Sequence, residues 1–253
     1  MSRLAIVTVV LDDAAGLRAT AESLAAQSCR DFEWHVLDGG STDGTLQVVA
    51  EFIHLIDDFR SEPDGGPYAA MNDGLDRAAA DYLWFLNAGD RAADPGTVAA
   101  LIGALAAEPD FLYGGSWEDD GARPLAKPAR SHRRAWAGMF THHQAMIYRR
   151  AVLAGLRYRT DLPIGADYAL TLEVLARSRR IVRLDRPLCR FRPGGLSMRR
   201  AAEGRRDQRR IRQELLGWPA PLAAAYALLQ AGVFTLRRRV PRLYAALRFR
   251  RGA

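Results

Sequence analysis

The apolar run Trp34 to Leu37 stops at Asp38 and gives way to Gly39-Gly40-Ser41-Thr42-Asp43-Gly44-Thr45. A strand, a carboxylate at its carboxyl end, a turn and a helix start follow one another there. In an open α/β sheet, ligands bind outside the carboxyl ends of the strands, where an acid can bond a ribose or a base. Asp38 is thus a candidate nucleoside contact. The alternative is an acid that only accepts backbone N–H bonds in its own turn. Ser41 or Thr42 as N-cap, with Gly44 relaxing the backbone, would build the turn without any ligand.

The same punctuation recurs along the chain. Ala5 to Val10 is a continuous β-rich run of the kind buried on both faces of a parallel sheet, and Asp12 or Asp13 can cap a helix running to about Gln27. Gly44 to about Ile53 forms the second helix, Pro67 begins a third, and Tyr82 to Leu86 is the next strand. Asp94 and Pro95 open a helix over Gly96 to Ala107, followed by a short strand at Phe111 to Tyr113. This alternation predicts an α/β fold with a mostly parallel central sheet, flanking helices and right-handed crossovers. From about Asp119 to Phe140 the pattern fails, which predicts a long loop or lid. Gln144 to Tyr148 resumes a strand, Ala166 to Ala176 a helix and Ile181 to Leu184 an edge strand. After the Pro193-Gly194-Gly195 turn a helical tail begins near Arg200, dividing the chain into residues 1–198 and 199–253.

Composition narrows the class. A chain of 253 residues with 49% hydrophobic content buries a sizeable core and is not disordered. Cys29 and Cys189 make neither a disulfide framework nor a metal cluster, so both are packing residues in a reducing compartment. The net charge of +7 is lopsided: residues 199–253 hold 14 Arg against Glu203, Asp207 and Glu214, or +11, leaving −4 on residues 1–198. An Arg-rich tail without interleaved stacking aromatics argues against nucleic acid and for an anionic membrane surface. The uncharged stretch Leu215 to Leu236 contains Pro219, Pro221 and Gln230, which suits an interfacial helix or an ordinary packed helix pair better than a membrane span. Leu4 to Leu11 is too short for a secretory leader and runs into acids, so a cytoplasmic protein is expected.

Acids recur at strand ends or inside the connecting loops, in Ser61-Glu62-Pro63-Asp64-Gly65-Gly66-Pro67-Tyr68 and in Phe85-Leu86-Asn87-Ala88-Gly89-Asp90. A strand that stops at a short polar loop can hold a carboxylate where Mg²⁺ or Mn²⁺ bridges phosphates, although Asn-Ala-Gly-Asp is also an ordinary turn.

Taken in order, Ile6-Val7-Thr8-Val9-Val10, Asp38 to Thr45, Ser61 to Gly66 and Phe85 to Asp90 resemble the nucleotide-sugar glycosyltransferases of family 2, which have a GT-A fold. The resemblance covers roughly residues 4–198 and is greatest to enzymes building bacterial exopolysaccharide, colanic-acid or O-antigen units. It implies that Thr8 lines the base pocket, that Asp38 contacts the uracil or ribose, and that Asp64 lies near the nucleoside. The family's metal motif would fall at Asn87 to Asp90. Here Asn87 and Gly89 stand where many members carry carboxylates, so a divalent metal would rest on Asp90 and the diphosphate. Asp167, in Ile164-Gly165-Ala166-Asp167-Tyr168, matches the acid that deprotonates the acceptor hydroxyl; its residue type at a helix start also suits an N-cap.

His143 and Gln144 fall in a segment that resembles the family's HQ-x-x-x-Y-R and would lie near donor sugar and acceptor. Otherwise His142 is solvated and His143 buried and hydrogen-bonded. Arg192 and Ser197, in Phe191 to Ser197, resemble a late loop whose Arg could close over the diphosphate, or form a plain exposed turn. Asp119 and Asp120 read as an exposed charge pair, and Trp117 and Trp136 as partly buried aromatics or sugar platforms.

The leading expectation is an inverting glycosyltransferase moving a sugar from a nucleotide diphosphate, UDP in the first instance, to a lipid-linked or glycan acceptor. A nucleotide-sugar-binding scaffold without turnover is a second reading. A Rossmann oxidoreductase is a third, opposed by Leu11 to Gly16 standing where a glycine fingerprint belongs.

Overall fold

A computed structural model describes residues 2–119 and 124–239. In chain order the elements are β1 (Leu4–Val10), α1 (Ala14–Ala25), β2 (Glu33–Asp38), α2 (Thr45–Phe52), β3 (Asp58–Ser61), α3 (Pro67–Arg77), β4 (Tyr82–Phe85), β5 (Arg91–Ala92), α4 (Thr97–Leu105), β6 (Phe111–Glu118) and β7 (Leu125–Lys127). They continue with β8 (Met146–Arg149), α5 (Arg150–Leu153), α6 (Ala166–Arg177), β9 (Ile181–Phe191), α7 (Leu196–Arg199), α8 (Ala201–Leu216) and α9 (Ala220–Arg239). One sheet runs β3-β2-β1-β4-β8-β6-β9-β5, with β7 hydrogen-bonded to β6.

The sheet is parallel on one side of β4 and largely antiparallel on the other. β3, β2, β1 and β4 are mutually parallel, as the alternation predicts. β8 then runs antiparallel to both β4 and β6, and β9 returns parallel to β6. Successive β1 side chains alternate between two cores, Ala5, Val7 and Val9 facing α3 and α6, and Leu4, Ile6 and Val10 facing α1 and α4. Gly74 lets α3 lie directly on β1: a Cβ there would stand 2.5 Å from Val7 Cγ1.

Several boundaries depart from the sequence reading for identifiable reasons. Helix α2 starts at Thr45, and neither Ser41 nor Thr42 caps it; Asp43 Oδ1 accepts from the Thr45 amide at 2.8 Å. The Ser41 hydroxyl is instead bonded to Asp38 and to the Asp12 amide, and Asp12 Oδ1 accepts from the Thr42 amide, wiring this turn to the loop after β1. Asp13 does cap α1, through the Gly16 amide. The strand expected at Phe111–Tyr113 extends to Glu118. The expected edge strand at Ile181–Leu184 is eleven residues long and lies between β6 and β5. Pro187 is accommodated there at a register shift opposite Gly115, where no ladder bond is required of it.

The irregular segment after Asp119 is not uniformly a lid. Leu125–Lys127 pairs with β6, and a 3₁₀ helix at His132–Ala137 is pinned beneath α8 and α9. Asp119 is no exposed acid: it pairs with Arg91 at 2.6 Å and Arg190 at 3.5 Å, while Asp120 lies outside the described residues. Trp136 is 48% exposed and packs against Trp218 and Tyr226.

Among the described residues no helix is long and apolar enough to cross a membrane. The buried face of α8 carries Gly204, Asp207, Ile211 and Arg212, so this helix is packed on the body. α9 buries Ala223 and leaves Leu222, Leu228 and Leu229 exposed; the Arg-rich end beyond residue 239 lies outside the described residues.

Candidate active site

Strand directions collect the acid loops at one edge. Because β1, β2, β3 and β4 are parallel, the segments following Val10, Asp38, Ser61 and Phe85 emerge together. β8 runs the opposite way, so the turn leading into it, His143-Gln144, reaches that edge too, as do the ends of β6 and β9. The candidate residues from both halves of the chain therefore converge, at the place where open α/β sheets bind ligands.

Two of them are set back from it. Thr8 is fully buried, and its hydroxyl donates to the Leu86 carbonyl at 2.8 Å and accepts from Trp34 Nε1 at 2.9 Å. It ties β1 to the start of the Asn87–Asp90 loop and does not line a pocket, because the alternation that buries Ile6 and Val10 puts it on the same face. Asp38 is also fully buried. Its carboxylate accepts from the amides of Gly40 and Ser41 and from the hydroxyls of Ser41 and Ser61, so the turn engages both oxygens. Asp64 comes closer to the expected place. Its Oδ1 accepts from the Gly66 amide at 2.7 Å, and its Oδ2 lies 3.2 Å from where a Cβ on Gly39 would stand.

Around Asp90 the chain gathers Arg192 and Asp13. The Asp90 side chain is 5% exposed, and burial pushes its carboxyl up to about 7 against the opposing Arg192 amide at 2.9 Å, the Arg192 charge and a hydrogen bond from Gln144. The Arg192 guanidinium lies over Gly89, where a Cβ would be 2.3 Å from its Cζ and would push the arginine aside, and the φ of +91° at Gly89 favours glycine. Arg192 is held in turn by both oxygens of Asp13. Beside them His142 stacks on Phe191 at 3.9 Å, and its ring lies 2.9 Å from Lys127 Nζ and 3.3 Å from Glu118. His142 is therefore packed rather than solvated. Its ring and the Lys127 ammonium hold the Glu118 carboxyl down at about 2. Ser197 is exposed on the single turn α7.

Asp167 stands in the first turn of α6, where burial pushes its carboxyl up to about 6. Its Oδ1 accepts from the Tyr168 amide at 2.7 Å, and the Tyr68 hydroxyl, which donates to the Ile164 carbonyl at 2.8 Å, lies beside it. Tyr68 stacks on Tyr158, whose hydroxyl lies 2.7 Å from His143 Nε2. Burial pulls His143 down to about 4, so the ring is neutral at physiological pH. His143 and Gln144 form one 3₁₀ turn, and the two neighbours serve different carboxylates: Gln144 reaches Asp90, while His143 supports the Tyr158-Tyr68 stack against Asp167. An acid that stays ionised only above about pH 6, held in an apolar site, is suited to taking a proton from a hydroxyl.

The sequence reading missed Asp13 as the partner of Arg192, because 179 residues separate them. Tyr68, at the end of the acidic loop, also carried no signal of a role in the sequence.

The central sheet, the acid loops at its carboxyl edge and the flanking helices make this a GT-A fold, the architecture of nucleotide-sugar transferases. The glycosyl transferase family 2 model matches residues 5–157, more than half of the chain, and the chain belongs to that family. Family membership removes the oxidoreductase alternative.

The PGL/p-HBAD biosynthesis glycosyltransferase of Mycobacterium tuberculosis is 35% identical over 176 residues, covering 61% of this chain and 64% of that protein. The chain thus spans less than two thirds of its length. Among solved structures, Staphylococcus aureus TarS 1-349 with UDP-GlcNAc has a TM-score of 0.70 at 20% identity, over 89% of this chain and 70% of that one. The mannosyltransferase PcManGT of Pyrobaculum calidifontis, with GDP-Man and Mn²⁺, has a TM-score of 0.64 at 17% identity, over 97% and 78%.

Proposed function

We propose that the protein is an inverting glycosyltransferase that takes a sugar from a UDP-sugar and adds it to a hydroxyl of a lipid-linked or glycan acceptor in cell-surface polysaccharide biosynthesis. The observation that carries this reading is a pair of carboxylates that burial pushes upward, the buried Asp90 and the part-buried Asp167, supported from opposite sides of the His143-Gln144 turn. Asp64 and the Gly39-Gly40 turn that Asp38 fixes take the nucleoside. The Arg192 fork, now on Asp13, matches two oxygens of the leaving diphosphate. Asp167 accepts the acceptor hydroxyl's proton as that oxygen attacks the anomeric carbon from the face opposite the leaving group.

The residues fit a divalent ion shared with the donor. Asn87 Oδ1 is buried without a hydrogen-bond partner beside Asp90, whereas among the described residues no group of three His, Cys, Asp or Glu could hold a metal alone. Asn87 and Asp90 would hold Mn²⁺ or Mg²⁺ together with phosphate oxygens, and the ion would neutralise charge on the departing diphosphate.

Thermal shifts test this assignment. UDP with Mn²⁺ is expected to raise Tm more than GDP or NAD does, and Asp90→Ala to remove the Mn²⁺-dependent part. An Asp90→Ala protein with the full Mn²⁺ effect would show that the ion, if bound, sits elsewhere.

The acceptor side of the proposal places the enzyme in the cytoplasm at the inner face of the membrane. Leu222, Leu228 and Leu229 are exposed on α9, and the sequence beyond is rich in Arg. Leu228→Asp with Leu229→Asp is expected to lower co-sedimentation with phosphatidylglycerol vesicles at least roughly tenfold without changing UDP binding, since each buried leucine contributes about 1.5–3 kcal/mol. Unchanged sedimentation would refute the membrane claim.

A further inference from the structure

Helix α8 has an Arg-rich exposed face and buries an acid, Asp207, which is 8% exposed. A buried carboxylate on a packed helix needs donors, and these come from the chain entering α6. Asp207 Oδ2 accepts from the Ile164 and Gly165 amides, both at 2.9 Å. Two glycines permit the approach: a Cβ on Gly165 would lie 2.7 Å from Asp207 Cβ, and one on Gly204 2.9 Å from Ile164 Cγ2. Helix α8 is further strapped to the loop before α6 by Arg159 to Glu214 at 2.5 Å and by Arg210 to Asp161 at 2.8 Å. Asp167 follows two residues after Gly165, in the first turn of the helix that Asp207 anchors.

We propose that Asp207 is a positioning residue for Asp167, fixing the α6 N-terminus so that the Asp167 carboxyl is held against Tyr68. The inference rests on the reading of Asp167 as the base and extends it to the C-terminal helices, which the sequence treats as an appended tail. The Asp207 carboxylate also acts through its charge. Asp167 is faced by Tyr68 from α3, Tyr148 from β8, Tyr158 from the loop after α5 and Asp207 from α8. Of these Asp207 supplies the negative charge that opposes ionisation of Asp167. Removing that charge lowers the pH at which Asp167 becomes a base.

The test uses the full chain with Asp207→Asn, which keeps an oxygen acceptor and loses the charge, and Asp207→Ala, which loses both. The ¹³Cγ titration of Asp167, identified by its absence in Asp167→Asn, reads the charge effect directly and needs no substrate. UDP-GlcNAc turnover reads the geometry. In Asp207→Asn the Asp167 midpoint is expected to move to lower pH with most turnover retained; in Asp207→Ala, kcat is expected to fall roughly tenfold or more with KM nearly unchanged. An unmoved midpoint in Asp207→Asn, or wild-type kcat in Asp207→Ala, overturns the inference. Wild-type turnover in Asp167→Asn would instead overturn the base assignment, leaving the titration to decide the role of Asp207.

Discussion

Asp167→Asn is expected to lower kcat by about 10³-fold while leaving UDP affinity within about twofold, because it removes proton acceptance from the transition state and nothing from donor binding. The same substitution is expected to stabilise the fold at pH 8. The Asp167 carboxyl is pushed up to about 6, so the folded protein binds that proton more tightly than the unfolded chain does. Stability is therefore lost as pH rises from the unfolded value, near 4, through about 6, and the whole penalty is present above that range. Asparagine carries none of it. After allowance for altered bonds to Tyr68 and the Tyr168 amide, a gain of about 1–2 kcal/mol should appear as a Tm increase of about 3–6 °C at pH 8. The gain should shrink toward pH 5, where Asp167 is already protonated. Turnover within tenfold of wild type would move the base elsewhere, whereas a wild-type protein that binds nucleotide sugar with no turnover to lose would return the second reading, a nucleotide-sugar-binding scaffold.

Arg212→Ala should have the largest effect on stability. Arg212 is fully buried in α8. It donates to the Trp136 and Ala137 carbonyls at 3.2 and 3.1 Å and to Gln208, and its guanidinium lies 4.6 Å from the Tyr226 ring. Its charge faces the carbonyl end of the 3₁₀ helix at His132–Ala137 and the aromatic surfaces of Tyr168, Trp218 and Tyr226. Truncation leaves a cavity and removes donors, a loss of about 3–4 kcal/mol. By thermal denaturation, Tm should fall by roughly 10 °C. Arg212→Met fills the space, and Tyr168, Tyr226 and Gln230 still donate to the same carbonyls, so about half of the loss should be recovered. An Arg212→Ala protein of unchanged Tm would mean that α8 and α9 contribute little to holding the body together.

What could be read in the sequence follows from where burial is two-sided. β1, β2 and β4 are apolar runs covered on both faces, and each stops close to a polar residue the eye can find, so the convergence of Asp38, Asn87 and Asp90 on one edge was legible, whereas the half-exposed β3 that brings Asp64 there was not expected as a strand. β9 was not, because Arg183, Asp185, Arg186 and Arg190 alternate with its apolar residues and imitate a solvated edge. The site residues defined by hydrogen bonds were the least legible. Thr8 and Asp38 have the right type and position for a ligand, but the fold uses their oxygens itself. Asp13, Tyr68 and Asp207 act through partners distant in sequence. Arg212 is one of fourteen arginines in its region; a spacing of four from Gln208 and one from Ile211 does not distinguish it from the exposed ones.

The change of strand direction at β4 has a consequence for how such a chain can diverge. The loops bearing Asp64 and Asn87 leave a parallel ladder, those bearing His143 and Arg192 a largely antiparallel one, and among the described residues the two are joined where Tyr82, Leu83 and Trp84 pair with Arg149, Tyr148 and Ile147 and where Arg91 and Ala92 pair with Arg190 and Cys189. Five residue pairs are a narrow join. Insertions or replacements in the antiparallel half that spare these pairs leave the register of β1, β2 and β3 intact, so descendants can acquire new acceptors while inheriting the Asp38 and Asp64 loops unaltered.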